Sequence, residues 1–180
     1  MKKQKNYERK YVLVFNATTI IVLRELQREK LVEEIRKQGI AKIVIPQGVI
    51  EEFQRAGMQV NIPNDDVRIE QMNTNRILDI PQSLGEGERQ AITIAYTLTR
   101  TQDTETVMVV TDDLKARKTC RRLGLNVIGT LGLIEFAKKH NIITKEEALN
   151  LLESIPNTSL YISPELLEKA RIKLKQQGKT

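Results

Sequence analysis

Four short apolar runs, each closed by a turn signal and followed by a helix-forming stretch, limit what this chain can fold into more than any other feature. Residues 11–15 (YVLVF), 41–45 (AKIVI), 107–110 (VMVV) and 125–128 (LNVI) are rich in β-branched side chains and too short for helices. Runs that are mainly apolar on both faces fit strands covered on both sides. Between them, residues 20–38 read as helical in two pieces, with Leu23, Leu26, Leu31, Val32 and Ile35 facing inward and Gly39 as the stop. Residues 47–57 read as a short helix. A longer one runs from the capping-box spacing Ser83-x-x-Glu86 to about residue 100, and another covers 114–123 and stops at Gly124. Strand and helix in alternation predict a parallel sheet with helices on both faces. Residues 61–66 read as a loop, 67–70 as a short extended piece and 73–80 as a helix ending at Pro81. Helices follow over 131–140 and 144–152, the latter opened by a Thr144-x-x-Glu147 box, and Ser163-Pro164-Glu165 opens a last one.

A chain of 180 residues can bury a substantial core. The expected organisation is a basic tail over residues 1–10, one α/β domain over 11–153 and a helical extension over 154–180. No apolar run approaches a membrane span, and no secretory leader is visible after the basic start. Cys120 is the only cysteine, so an internal disulfide is impossible and a reducing cytoplasm is the expected setting. The formal charge of +6 and pI near 9.4 suit a polyanionic partner, nucleic acid being the commonest. Part of the excess lies in Lys2, Lys3, Lys5, Arg9 and Lys10, and part in Lys169, Arg171, Lys173, Lys175 and Lys179; both groups also fit solvated ends. No glycine-rich dinucleotide fingerprint or Walker loop follows the first strand.

The third strand ends in Thr111-Asp112-Asp113. Ligands bind at the carboxyl ends of parallel strands, and paired acids there suit a hard cation such as Mg²⁺ or Mn²⁺. The plainer reading has Asp112 capping the next helix. At about 100° per residue, Glu88 projects near the apolar face formed by Ala91, Ile92, Ile94, Ala95 and Leu98, whereas Glu86 projects away and serves as capping-box partner. An inward carboxylate needs a cation or an ion pair. In the helix over 47–57, Glu52 flanks the buried side and Glu51 points away. Asn16 closes the first strand where a fourth acid would complete the cluster.

Taken together these stretches resemble the PIN domain, the metal-dependent nuclease fold of many ribonucleases and of VapC-type toxins. The motifs stand here as Asn16-Ala17-Thr18, Pro46-Gln47-Gly48-Val49-Ile50-Glu51-Glu52, Gly87-Glu88-Arg89-Gln90-Ala91-Ile92 and Thr111-Asp112-Asp113, followed by Val127-Ile128-Gly129-Thr130-Leu131-Gly132. The resemblance implies a three-layer α/β/α fold with a mainly parallel sheet. It also implies hydrolysis of RNA with Mg²⁺ or Mn²⁺, carboxylates at Glu52, Glu88, Asp112 and Asp113, metal ligation by Asn16, Glu88, Asp112 and Asp113, and hydroxyl support from Thr18 and Thr111. A homodimer and an antitoxin partner are further expectations of the resemblance. Asn16 departs from the family's usual first Asp. That leaves an attenuated or inactive relative, an engineered variant, and a site relying on its other acids as open readings. A non-catalytic RNA-binding or protein-interaction module is the alternative function.

Five of the eight residues from 115 to 122 are Lys or Arg. On a helix, Lys115, Lys118, Arg121 and Arg122 share a face opposite Ala116, Cys120 and Leu123, with Arg117 at the border. Beside an acidic site this face suits phosphate contacts, although a solvated helix has the same pattern. Aromatic residues at 4% and no Trp argue against an extended base-stacking platform. His140, the only histidine, falls at a helix end where a cation is favoured. One His and one Cys exclude a Cys/His zinc site.

Overall fold

A computed structural model describes residues 10–65, 79–101 and 105–176. The extended piece expected over 67–70, most of the helix expected over 73–80, and both chain ends lie outside those residues. Four strands, β1 (Tyr11–Phe15), β2 (Ala41–Val44), β3 (Thr106–Val110) and β4 (Asn126–Ile128), form one sheet in the order β2-β1-β3-β4. Every pairing is parallel, with Leu13 beside Ile43 and Met108, and Val109 beside Val127. Helices α1 (Ala17–Glu25) and α2 (Lys30–Lys37) link β1 to β2. Helices α3 (Gln47–Arg55) and α4 (Glu86–Thr101) precede β3, and α5 (Leu114–Arg122) links β3 to β4. Helices α6 (Thr130–Lys139), α7 (Lys145–Ser154) and α8 (Pro164–Gln176) follow.

Alternating side chains of each strand face opposite layers, so the sheet divides the interior in two. Leu13, Phe15, Ile43, Met108 and Val110 pack with apolar residues of α1, α2, α3, α6, α7 and α8. Val12, Val14, Val44, Val107 and Val109 pack with α4 and α5. Val12 to Phe15 have no exposed surface, and such burial contributes about 1.5–3 kcal/mol per large side chain. The expected three-layer α/β/α architecture with a parallel sheet is therefore present. Helix α8 folds back onto it, with Ala170 and Leu174 buried in the first core and Lys173 paired to Glu135 on α6.

Turn chemistry fixes the helix ends. Gln27 at φ +55° breaks α1 from α2, which explains why the helical stretch is in two pieces. Gly39 and Gly124, both at φ +71°, take the left-handed conformation that ends a helix. Thr144 and Glu147 form the expected reciprocal capping box. The open edge at β2 is covered by the loop after α3. Asn64 bonds both the amide and the carbonyl of Ile45, while Asp65 accepts from the Ile43 amide at 2.9 Å and pairs with Arg36 at 2.8 Å.

The strand order reverses between β1 and β3. From β1 the chain moves outward to β2, then returns past β1 to β3 and β4. A crevice at the carboxyl ends of these two central strands is the expected binding place in an open α/β sheet.

Candidate active site

Asn16 follows β1 and Thr111 follows β3, so the sheet itself brings their side chains together. Both are buried, at 1% and 0% exposure. The backbone amide of Asn16 extends the pairing onto the Val110 carbonyl at 2.9 Å. Its side-chain Oδ1 accepts from the Ala17 amide at 2.6 Å and caps α1. Its Nδ2 donates to Thr111 Oγ1 at 3.0 Å and reaches Glu88 Oε1 at 3.4 Å. Thr111 Oγ1 also accepts from the Asp113 amide at 3.2 Å, and Thr18 Oγ1 accepts from the Asp112 amide at 3.2 Å. Asn16, Thr18, Glu88, Thr111, Asp112 and Asp113 thus form one hydrogen-bonded constellation at the switch point.

The two adjacent acids do different work. Asp113 caps α5, its Oδ1 accepting from the Ala116 amide at 2.7 Å. Capping belongs to Asp113, because α5 begins at Leu114 and places the second acid, not Asp112, before its first turn. Asp112 instead turns sideways across the sheet. Its Oδ1 accepts from the Thr130 amide at 2.8 Å, and its Oδ2 accepts from the hydroxyls of Thr130 at 2.6 Å and Thr19 at 3.0 Å. Arg117 donates to the Thr111 carbonyl at 3.1 Å and lies in the field of Asp112. Burial pulls the Arg117 pKa down, neighbouring Arg121 adds to this, and Asp112 opposes it. Gly129 makes room for this arrangement: a Cβ there would stand 2.4 Å from Asp112 Oδ1 and 2.8 Å from Arg117 Nη1.

Glu88 is half-buried, and its Oε2 accepts from the Gly85 amide at 2.8 Å. The capping-box role expected of Glu86 falls to Glu88, since α4 starts at Glu86 and makes residue 88 its third residue. Glu86 pairs with Arg89 and Gln90, and hydrogen bonding by Arg89 chiefly lowers its pKa. Close packing of α3 on α4 gives the motif glycines their purpose. A Cβ on Gly87 would meet Val49 Cγ2 at 2.8 Å, and one on Gly48 would meet the Gly87 amide nitrogen at 3.0 Å. Glu52, one turn beyond Gly48, is exposed, and its side chain has no hydrogen bond among the described residues. No hydrogen bond or ion pair among the described residues joins its side chain to the constellation.

A divalent cation would find few free carboxylates here. Among the described residues, no three Asp, Glu, His or Cys side chains stand close enough to share an ion, so there is no all-protein cage. Asp112 and the Asn16 oxygen are engaged by the chain's own donors. Asp113 Oδ2 has no hydrogen bond among the described residues, and Glu88 Oε1 has only the long contact from Asn16. Two such carboxylates fit Mg²⁺ or Mn²⁺ in the manner of sites that keep several waters and take further oxygens from a phosphate substrate.

Helix α5 carries its cations outward as its spacing predicts. Lys115, Lys118, Arg121 and Arg122 are exposed, over buried Ala116, Thr119 and Cys120. Arg122 is paired with Asp79, and Lys115 donates to Ser83 at 2.9 Å; Lys118 and Arg121 have no such partner among the described residues. Burial pushes the Cys120 thiol up to about 11, so it is a packing residue. His140 ends α6 against Tyr11 and Phe136, ring centroids 5.3 and 4.5 Å away. Burial first, then Lys139 and Lys10, hold its pKa down, which opposes the cation favoured there on helix-end grounds.

Sequence reasoning missed Thr19, Thr130 and Gly129 as the frame around Asp112. It also missed a groove of about 510 Å³ that starts at Asp112 and passes Leu114, Arg117, Tyr161 and Lys169. Tyr161, at 87% exposure, and Leu114, at 72%, are open apolar surface there. The signal was present for Gly129-Thr130, within a motif already singled out, but no periodicity ties Tyr161 to this place.

Among the described residues no helix is long and apolar enough to cross a membrane. No curated protein and no solved structure matches the chain. A family model described as the PIN domain matches residues 12–176, from the first strand through the last helix and across every motif of the switch-point constellation. The parallel sheet, the reversal of strand order between β1 and β3 and this match agree: the chain belongs to the PIN-domain family, a nuclease-type fold.

Proposed function

We propose that this protein is a divalent-metal-dependent ribonuclease acting by phosphodiester hydrolysis at the β1/β3 crevice. The observation that supports it most is the linkage of Glu88 to Asn16, Asn16 to Thr111 and Thr111 to the Asp113 amide, with one oxygen of each of the two carboxylates free of any close hydrogen bond among the described residues. Glu88 and Asp113 would hold Mg²⁺ or Mn²⁺ together with oxygens of the substrate. When bound, such an ion lowers the pKa of a water and neutralises charge developing on the phosphate. Thr18 and Thr111 fix the backbone amides of Asp112 and Asp113, and so the direction of the strand end. Lys118 and Arg121 bind phosphates flanking the scissile one. Asp112 holds the frame rather than the ion.

With an amide in place of the first carboxylate, this centre has less negative charge than four acids would supply, and weaker metal affinity follows. Activity is accordingly attenuated and depends on substrate completing the coordination. The engaged oxygens of Asn16 and Asp112 also favour a second reading, an RNA-binding module without turnover. A toxin-like role in the cytoplasm, a protein antitoxin and a homodimer extend the proposal from family resemblance. Incubating single-stranded RNA with the protein in Mn²⁺, Mg²⁺ or chelator separates the two readings. Metal-dependent fragments support the nuclease. Salt-sensitive RNA binding without fragments in any buffer supports the module.

A further inference from the structure

We propose that Asn16 is a positioning residue whose amide donors hold Glu88 and Thr111 in place without metal. The buried Ala17 amide needs an acceptor, so the Asn16 oxygen must face it, at 2.6 Å. This fixes the amide's orientation and turns Nδ2 toward the acid cluster. Its two hydrogens serve Thr111 Oγ1 at 3.0 Å and Glu88 Oε1 at 3.4 Å, and the second contact, though long, has an acceptor carrying charge. One side chain at 1% exposure therefore ties β1, β3 and α4 together. A carboxylate at this position would keep the cap, because Asp and Asn are equivalent there. It would lose both donors and place a like charge beside Glu88. The site is thus hydrogen-bonded into place before any ion arrives, and the ion is recruited with substrate rather than held permanently. This rests on the proposed metal site only for the ion. The stability readout below needs neither RNA nor cleavage.

The test compares melting temperatures in chelator and in Mn²⁺ for the parent, Asn16→Asp, and the swap Asn16→Asp/Glu88→Gln. In the swap a Gln amide at 88 can donate to the introduced carboxylate, restoring the pair with its roles exchanged. In chelator, Asn16→Asp should melt at least about 2–4 °C below the parent, and the swap should regain most of that loss. Mn²⁺ should raise the melting temperature of Asn16→Asp more than that of the parent or the swap. A normal melting temperature for Asn16→Asp in chelator overturns the proposal, because it makes the residue a helix cap only. A swap no more stable than the single variant, including failure of both to fold, overturns it too. A single variant that does not fold beside a swap that does supports it. If the stability pattern holds while no RNA is cleaved, the positioning role stands and the nuclease reading falls.

Discussion

Replacing Asp112 with Ala should unfold this protein more readily than any change at its neighbour Asp113. Three donors converge on the Asp112 carboxylate: the Thr130 amide at 2.8 Å, the Thr130 hydroxyl at 2.6 Å and the Thr19 hydroxyl at 3.0 Å. Both threonines have no exposed surface, so water does not readily replace the lost acceptor. A buried donor left without a partner costs about 1–3 kcal/mol, and hydroxyls can rotate toward other acceptors whereas the Thr130 amide cannot. Counting the amide fully and the two hydroxyls in part gives a loss of about 3 kcal/mol, or roughly 6–12 °C in melting temperature for a domain of this size. Asp113→Asn keeps an equivalent cap for the Ala116 amide and should stay within about 0.5 kcal/mol of the parent. Thermal melts and urea midpoints followed by circular dichroism measure both. A loss below about 1 kcal/mol for Asp112→Ala, or an equal loss for Asp113→Asn, would refute the assignment of frame and site to these two acids.

Gly129→Ala should destabilise by about 1–3 kcal/mol through overpacking, since its Cβ would collide with Asp112 Oδ1 at 2.4 Å; unchanged urea midpoints would reject that contact. Neutralising Lys118 or Arg121 should weaken RNA binding and reduce the log–log salt slope by about 1 for each phosphate contact, with a smaller effect at the ion-paired Arg122. Slopes unchanged from the parent's in all three variants would mark the helix as a solvated face. His140 titrates below its ordinary 6.5 in the folded chain, so the unfolded chain binds the proton first as pH falls. Stability from this group is therefore complete above pH 6.5 and declines as pH drops from there through the lower folded pKa. His140→Phe should flatten that decline in urea titrations, and an unchanged slope would count against it.

The fold was legible because its signals are local. Short β-branched runs, Gly39, Gly124 and the Thr144–Glu147 box each act within a few residues, and the alternation of elements then leaves few topologies. The site was legible in part. Strand ends at Asn16 and Thr111 meet because their strands are neighbours, a consequence of the sheet order rather than of any local pattern. The division of labour between Asp112 and Asp113 was not readable, because it depends on Thr19 and Thr130, which lie on other elements. Helical projection placed Glu88 inward, but the Ser83 spacing assigned the cap to Glu86, because the helix starts two residues later than that spacing suggests. The same projection brought Glu52 to the edge of the buried side of α3. How closely α3 packs on α4 depends on the Gly48–Gly87 contact, which no single-helix argument contains.

The central claim is that Glu88 and Asp113 serve a metal-dependent cut in RNA while Asp112 serves the frame. The most direct measurement is the single-turnover cleavage rate of a labelled single-stranded RNA in Mn²⁺, for the parent, Glu88→Gln and Asp113→Asn, each with a chelator control and a melting curve. Chelator should abolish cleavage by the parent, and both folded variants should lose tenfold or more, about 1.4 kcal/mol in the barrier. Cleavage that survives chelation, equal rates in the variants, or no cleavage by a parent that binds both RNA and Mn²⁺ would contradict that claim.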